Sequence, residues 1–368
     1  MTVLYTKDRM RRLVALMKES NISGAIISPG TNFLYLTGLS FSGTLERLFV
    51  LLISCEGESV LLAPKLYENE LRATWIENFY IWSDSENPYE IFGELVKKLF
   101  GEHGRVAVDD TMQAVHLLRA YNTLKTYNLE PLGTIISKLR IIKDELEINF
   151  IREAARIADR TVEEILKKGL VEGKTEREIA RFIETEISDM GADSSFDPIV
   201  ASGPNGANPH HTPTDRKIRE GDLIIVDFGA KFRGYCSDIT RAFSIGKPSE
   251  KIINLYEIVK EAQEEAFQAV KEGIAAREVD SVARSIITNK GYGEKFTHRT
   301  GHGLGLDVHE EPYIAQNNNT ELKNGMVFTI EPGIYLEGEF GIRIEDDVAV
   351  INGRGERLTK TSRDLIPL

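Results

Sequence analysis

The feature that most restricts what this chain can fold into is a duplicated apolar segment that ends in an acid. Glu220-Gly-Asp-Leu-Ile-Ile-Val-Asp227-Phe-Gly229 aligns with Asn324-Gly-Met-Val-Phe-Thr-Ile-Glu331-Pro-Gly333, with glycines, apolar run and acid in register. A run such as Leu223-Ile-Ile-Val226 reads as a buried strand, and such strands normally end in turn residues rather than in a carboxylate followed by more strand. Each copy carries a second acid downstream, Asp238 in the first and Glu345 in the second. A reversal centred on Phe232 and Arg233 makes Asp238 the antiparallel partner of Asp227, and a reversal about Gly338 sets Glu345 opposite Glu331. Facing residues on one side of a ribbon hold their Cβ atoms about 4.5–5.5 Å apart, where like charges repel. Either a neighbouring arginine, Arg233 or Arg241 in the first copy, neutralises the acids, or a bound cation does. Two divalent ions about 3.5–4 Å apart can be spanned by facing carboxylates. A repeat with an acid pair in both halves is hard to obtain from solvated surface charge.

The 368 residues suffice for two domains, each with its own core. No apolar run reaches the roughly 18–20 residues of a membrane span, and the start lacks a signal peptide's apolar stretch, so a cytoplasmic location is expected. Cys55 and Cys236 are too few and too far apart for a disulfide framework. A net charge of −12 argues against a general nucleic-acid binder, which needs a basic face.

Residues 1–127 read as alternating strand and helix, an α/β domain. An amphipathic helix is expected over Thr6–Ser20, with strands at Gly24–Ser28, Arg47–Ser54, Ser59–Ala63, Phe79–Trp82 and Arg105–Asp109. Helices are expected at Leu66–Ile76, Pro88–Phe100 and Thr111–Thr126, and His103 and His116 at the surface. Residues 128–136, with Pro131 and Gly133, read as a linker. From 137 to 368 the order is two helices, acid ribbon, two helices, acid ribbon. The helices are Lys143–Lys168, Thr175–Met190 with the capping box Thr175-Glu-Arg-Glu178, Ser249–Lys271 and Ala276–Lys290. Glu145, Glu147 and Glu178 read as solvated helix faces. Two such units related by a pseudo-twofold bring both acid pairs to a shared centre.

Five of the seven histidines fall between 210 and 309. His302, flanked by Gly301 and Gly303, reads as a loop histidine with backbone room for an ion, and is taken as the nitrogen ligand. His210, His211, His298 and His309 each fit a structural role as well as a catalytic one. Asp227, Asp238, His302, Glu331 and Glu345 form an oxygen-dominated set that suits Mn, Co, Fe or Zn and differs from a closed, cysteine-rich zinc site. Such a centre suits amide hydrolysis, with Glu331 as the group that moves a proton to the departing nitrogen.

At these residues the chain resembles the pita-bread metallopeptidases, specifically the Xaa-Pro peptidases aminopeptidase P and prolidase. The likeness covers essentially the whole chain, an α+β architecture with a creatinase-like N-terminal domain, where Asn32-Phe-Leu-Tyr-Leu-Thr-Gly38 is typical. It is carried by Val226-Asp-Phe-Gly229, Ser237-Asp-Ile-Thr-Arg241, Gly301-His-Gly-Leu-Gly305, Val308-His-Glu310, Glu331-Pro-Gly333 and Arg343-Ile-Glu-Asp346. The resemblance implies that Asp227 chelates one metal, that Asp238 and Glu345 bridge two, and that His302 and Glu331 bind the second. It also implies that Glu331 shuttles the proton, His210 stabilises the intermediate, His309 contacts the substrate carbonyl beside proline, and Arg343 supports the acids. Two divalent ions, Mn or Co before Zn or Fe, small peptides with proline second, and a homodimer are implied with it. Some prolidases carry an arginine shortly after the Val-His-Glu segment that holds a dipeptide's carboxylate. Here Glu311-Pro-Tyr313 intervenes, which tilts the expectation toward an aminopeptidase P-like enzyme over the alternative, a prolidase. Methionine aminopeptidase, a non-catalytic binding module and a metal-free amidinohydrolase are the remoter alternatives.

Overall fold

The computed structural model describes residues 7–41, 46–168 and 172–368. Thr6, the expected start of the first helix, lies outside them; Lys7–Glu19 is helical. The chain divides into two compact units, Met1–Leu139 and Arg140–Leu368.

The first unit is built on a six-stranded mixed sheet. Its spatial order is Phe79–Trp82, Ser59–Pro64, Val50–Ser54, Gly24–Ile27, Gly104–Val108, Tyr127–Pro131. The strands from Val50 and Ser59 form an antiparallel hairpin, while the Gly24, Gly104 and Tyr127 strands run parallel. Ile26, Leu52, Leu62 and Val106 pack against Phe92, Val96 and Phe100 of the helix Pro88–Phe100. That helix starts where the sequence places it because Asn87 accepts a hydrogen bond from the Tyr89 amide and Pro88 takes the first turn, where no donor is needed.

Three local expectations differ. The stretch 128–136 is not a connector but the sheet's edge strand followed by the helix Gly133–Arg140. Pro131 is tolerated because it closes an edge strand, and the Gly133 amide is bonded by Asp110 Oδ2 at 2.7 Å. The segment expected as the helix Leu66–Ile76 forms only a short turn at Lys65–Tyr67 and a helix Glu68–Arg72, and 111–126 yields two short helices, Ala114–Arg119 and Tyr121–Leu124. His116 is buried rather than on the surface, with Nδ1 2.9 Å from the Tyr89 hydroxyl.

The second unit follows the duplicated plan. The helices Glu145–Lys168 and Glu176–Asp189 precede a first ribbon, Leu223–Phe228 against Ile239–Ser244, which continues as Ala230–Phe232 against Tyr235–Cys236. The helices Glu250–Gln268 and Ala276–Asn289 precede a second, Val327–Ile330 against Asp346–Ile351, continuing as Gly333–Leu336 against Phe340–Arg343. Each ribbon packs on its own helix pair: Ile224, Val226 and Phe243 on Ile157, Val162 and Ile183, and Phe328, Ile330 and Val348 on Tyr256, Val259 and Ala283. The Thr175–Glu178 capping box forms as read, but Glu147 faces inward, where it accepts a 2.7 Å hydrogen bond from Tyr235.

The two tips set different registers. In the first ribbon Arg233 and Gly234 both have positive φ, 54° and 89°, the signature of a two-residue hairpin turn whose twist matches its strands. The reversal is therefore centred between Arg233 and Gly234, one place later than expected, and Asp227 pairs with Thr240, not Asp238. The second ribbon closes through a three-residue loop around Gly338, φ 75°, with Leu336 opposite Phe340. Ile330 pairs with Asp346 and Gly333 with Arg343, so Glu331 and Glu345 do face each other.

Candidate active site

The ribbons meet where their strands change sheets, the Glu345 amide donating to the Thr240 carbonyl at 3.2 Å. Asp227 lies on the outgoing strand of the first ribbon and Asp238 just before its return strand, two residues along from the position facing Asp227. Glu331 and Glu345 occupy the break between the two ladders of the second ribbon. His302 comes from Gly301–Gly303, a strand of the five-stranded sheet between Glu310–Ile314 and Val327–Ile330, not from a loop. Its flanking glycines admit neighbouring backbone rather than an ion. A Cβ at 301 would stand 1.9 Å from the Thr329 carbonyl, and one at 303 would stand 2.3 Å from that of Glu311.

One donor atom each from Asp238, His302 and Glu345 lies within 4.8 Å of the others. His302 Nε2 is 3.3 Å from Glu331 Oε1 and 3.7 Å from Asp238 Oδ2. Asp227, Asp238, Glu345 and His302 are all buried. The guanidinium of Arg343 donates to Asp227 Oδ2, to the Tyr335 hydroxyl at 2.9 Å and to Thr240 Oγ1 at 3.1 Å, and Thr240 in turn donates to Glu345 Oε2 at 2.6 Å. Thr240 thus fills the cross-strand place that sequence reasoning gave to a second acid.

One arginine does not balance four carboxylates in a buried space. Burial, then the neighbouring acids, pushes Asp238 and Glu345 far above the ordinary carboxylate range. Glu331 is driven to about 7 by burial, opposed by Arg343 and reinforced by Asp227. Burial and then His309 hold His302 down to about 3, which keeps it neutral. Its Nδ1 lies 3.2 Å from the Gly303 carbonyl and so carries the proton, leaving the Nε2 lone pair aimed at two carboxylates. With both carboxyls ionised, acceptor faces acceptor there. Asp227 Oδ1 and Asp238 Oδ1 are likewise buried without a hydrogen-bond donor. Such groups persist in native folds only with a partner, and hard oxygens with one imidazole suit a divalent cation. The residues present fit a metal centre on these grounds alone.

His309 and His210 are exposed, and Arg343 donates to the carbonyl of Pro209, next to His210, at 3.4 Å. The His309 ring centroid is 4.2 Å from that of His302, and desolvation lowers its pKa, with the charges of Arg299 and His210 acting in the same direction. His298 is drawn in behind Tyr335, Nε2 2.8 Å from the hydroxyl, while His211 turns away to bond Glu176 at 2.9 Å. Sequence reasoning missed Thr240 and Tyr335. The alternation along the second ribbon puts Tyr335 on the face of Glu331, and Arg233-Gly234 at the tip would have given Thr240 its partner.

The chain matches the description of metallopeptidase family M24 over residues 149–352 and of a creatinase/prolidase N-terminal domain over 9–142. A prolidase from Thermococcus sibiricus superimposes with a TM-score of 0.96 at 54% identity, covering 98% of this chain and 99% of that one. A dipeptidase from Pyrococcus horikoshii OT3 gives 0.94 at 50% identity over 98% and 100%. An X-Pro aminopeptidase from Thermotoga maritima gives 0.83 at 34% over 98% and 100%.

Proposed function

This chain belongs to metallopeptidase family M24 as a metal-dependent Xaa-Pro peptidase, and from there we propose that it is a prolidase, cleaving Xaa-Pro dipeptides. The observation that carries the dipeptide preference is the near-complete likeness to a prolidase and a dipeptidase at 54% and 50% identity, against 34% for an X-Pro aminopeptidase. It outweighs the lean toward longer peptides drawn from Glu311-Pro-Tyr313.

In this reading Asp227, Asp238, His302, Glu331 and Glu345 hold two divalent ions, manganese or cobalt first. When bound, such ions supply Lewis acidity, making water acidic enough to attack near neutral pH and polarising the scissile carbonyl. Arg343 fixes Asp227, and Thr240 fixes Glu345, so neither carboxylate has to be ordered during turnover. Glu331, whose Oε1 lies 3.3 Å from Thr329 Oγ1, holds the proton released by the attacking water. It then hands that proton to the prolyl nitrogen as the C–N bond breaks, so water is divided between the two products. His309 and His210 orient the carbonyl and steady the charge that develops on its oxygen. A cytoplasmic homodimer is the expected form.

The test is turnover of Ala-Pro against Ala-Pro-Ala by protein that has been chelated and then reloaded with manganese or cobalt. Preferential cleavage of Ala-Pro that vanishes on chelation supports the proposal. Equal or better cleavage of the tripeptide points to an aminopeptidase instead.

A further inference from the structure

Arg299 carries a charge that the acid centre does not use. It immediately precedes Thr300 and the strand that bears His302, and its backbone surroundings are clamped. Asp280 Oδ1 accepts from the Thr300 amide at 3.1 Å and hydroxyl at 2.8 Å, and Arg284 donates to the carbonyls of Phe296 and His298 at 3.2 and 2.9 Å. The Arg299 guanidinium lies over the ring of Tyr313, 4.3 Å from its centroid, on the strand that begins one residue after His309. Among the described residues it makes no hydrogen bond or ion pair through its side chain. Its charge acts to lower the pKa of His302, His309 and Glu331, although burial leaves Glu331 raised overall.

A guanidinium stacked on an aromatic face keeps its edge donors free in a planar fork matched to a carboxylate. In an Xaa-Pro dipeptide the free carboxylate sits two bonds from the prolyl nitrogen that takes the proton, so its anchor must stand close to the proton-handling group. Arg299 stands three residues before His302, and the ring it stacks on stands four residues after His309. We propose that Arg299, braced by Tyr313, binds the C-terminal carboxylate of the Xaa-Pro substrate and is the residue that makes this site select dipeptides. The inference rests on the prolidase reading above.

Manganese-loaded wild type, Arg299→Gln and Arg299→Lys are compared on Ala-Pro and on Ala-Pro-amide, which has the same scissile bond and no carboxylate, with bound metal measured in each. The wild type is expected to favour Ala-Pro. Arg299→Gln is expected to raise KM for Ala-Pro about 10- to 100-fold, the range lost with a charge-assisted bidentate contact, and to shift the amide by less than about threefold. Arg299→Lys, a point charge on a similar stem, is expected to recover part of the loss, and it carries the test if the glutamine variant does not fold. An equal loss on both substrates, or an unchanged KM for Ala-Pro in either variant, overturns the role of Arg299 and leaves the prolidase reading intact. A wild type that cleaves amide or tripeptide as well as Ala-Pro overturns the prolidase reading, and this inference with it.

Discussion

Glu176 opens the helix Glu176–Asp189 with a fully buried side chain, and replacing it should change how stability depends on pH. Its Oε1 accepts from the Ser202 amide and hydroxyl at 2.8 and 2.7 Å and from Asn205 at 2.9 Å. Its Oε2 accepts from His211 at 2.9 Å and from the Thr214 amide and hydroxyl at 3.0 and 2.7 Å. Burial works to raise this carboxyl, but the donors from Ser202, His211 and Asn205 outweigh it and bring it from 4.5 to about 2. At about 1.4 kcal/mol per tenfold change in proton affinity, that difference is worth about 3 kcal/mol. The native state binds the proton less readily than the unfolded chain, so this stability is complete well above pH 4.5 and drains away as pH falls toward 2. By pH 3 about 2 kcal/mol of it is gone. Glu176→Gln removes the titration and leaves amide donors facing donors, so it lowers stability at pH 7. Urea unfolding of the chelated proteins at pH 7, 5 and 3 should show the gap between wild type and variant narrowing by about 2 kcal/mol. A gap that stays constant with pH refutes the account of Glu176. Because residues 202–214 carry His210, kcat should also fall in the variant while bound metal is unchanged.

Other outcomes follow from the same geometry. Glu331→Gln should lower kcat on Ala-Pro by about 10²- to 10⁴-fold, the usual contribution of a positioned acid-base group, as steady-state assay of metal-loaded protein would show. Thr240→Val keeps the shape but strips the hydroxyl between Arg343 and Glu345, and chemical denaturation should register a loss of about 1–3 kcal/mol for the unpaired buried groups. Gly341→Ala places a Cβ 2.0 Å from the Gly206 carbonyl, where backbone must yield, so the melting temperature should drop along with activity. Adding manganese to chelated protein at a hundred times its dissociation constant should raise unfolding free energy by about 2.7 kcal/mol, as read by metal-dependent denaturation; no stabilisation would contradict a site in the native fold.

The sequence by itself determined the duplicated architecture and the convergence of acids. The runs Leu223–Val226 and Val327–Ile330 read as buried strands, and an acid ending both in register points to a common centre. The capped helix at Thr175 was equally legible, because an N-cap is a local interaction. What tertiary structure alone decided was pairing across distance. A one-residue change in turn centre at Arg233-Gly234 moved the partner of Asp227 from Asp238 to Thr240, since register magnifies a turn error twofold. The inward turn of Glu147, the linker-like segment that became an edge strand, and Arg299 stacked on Tyr313 depend on surfaces that only packing brings together, and no spacing along the chain encodes them.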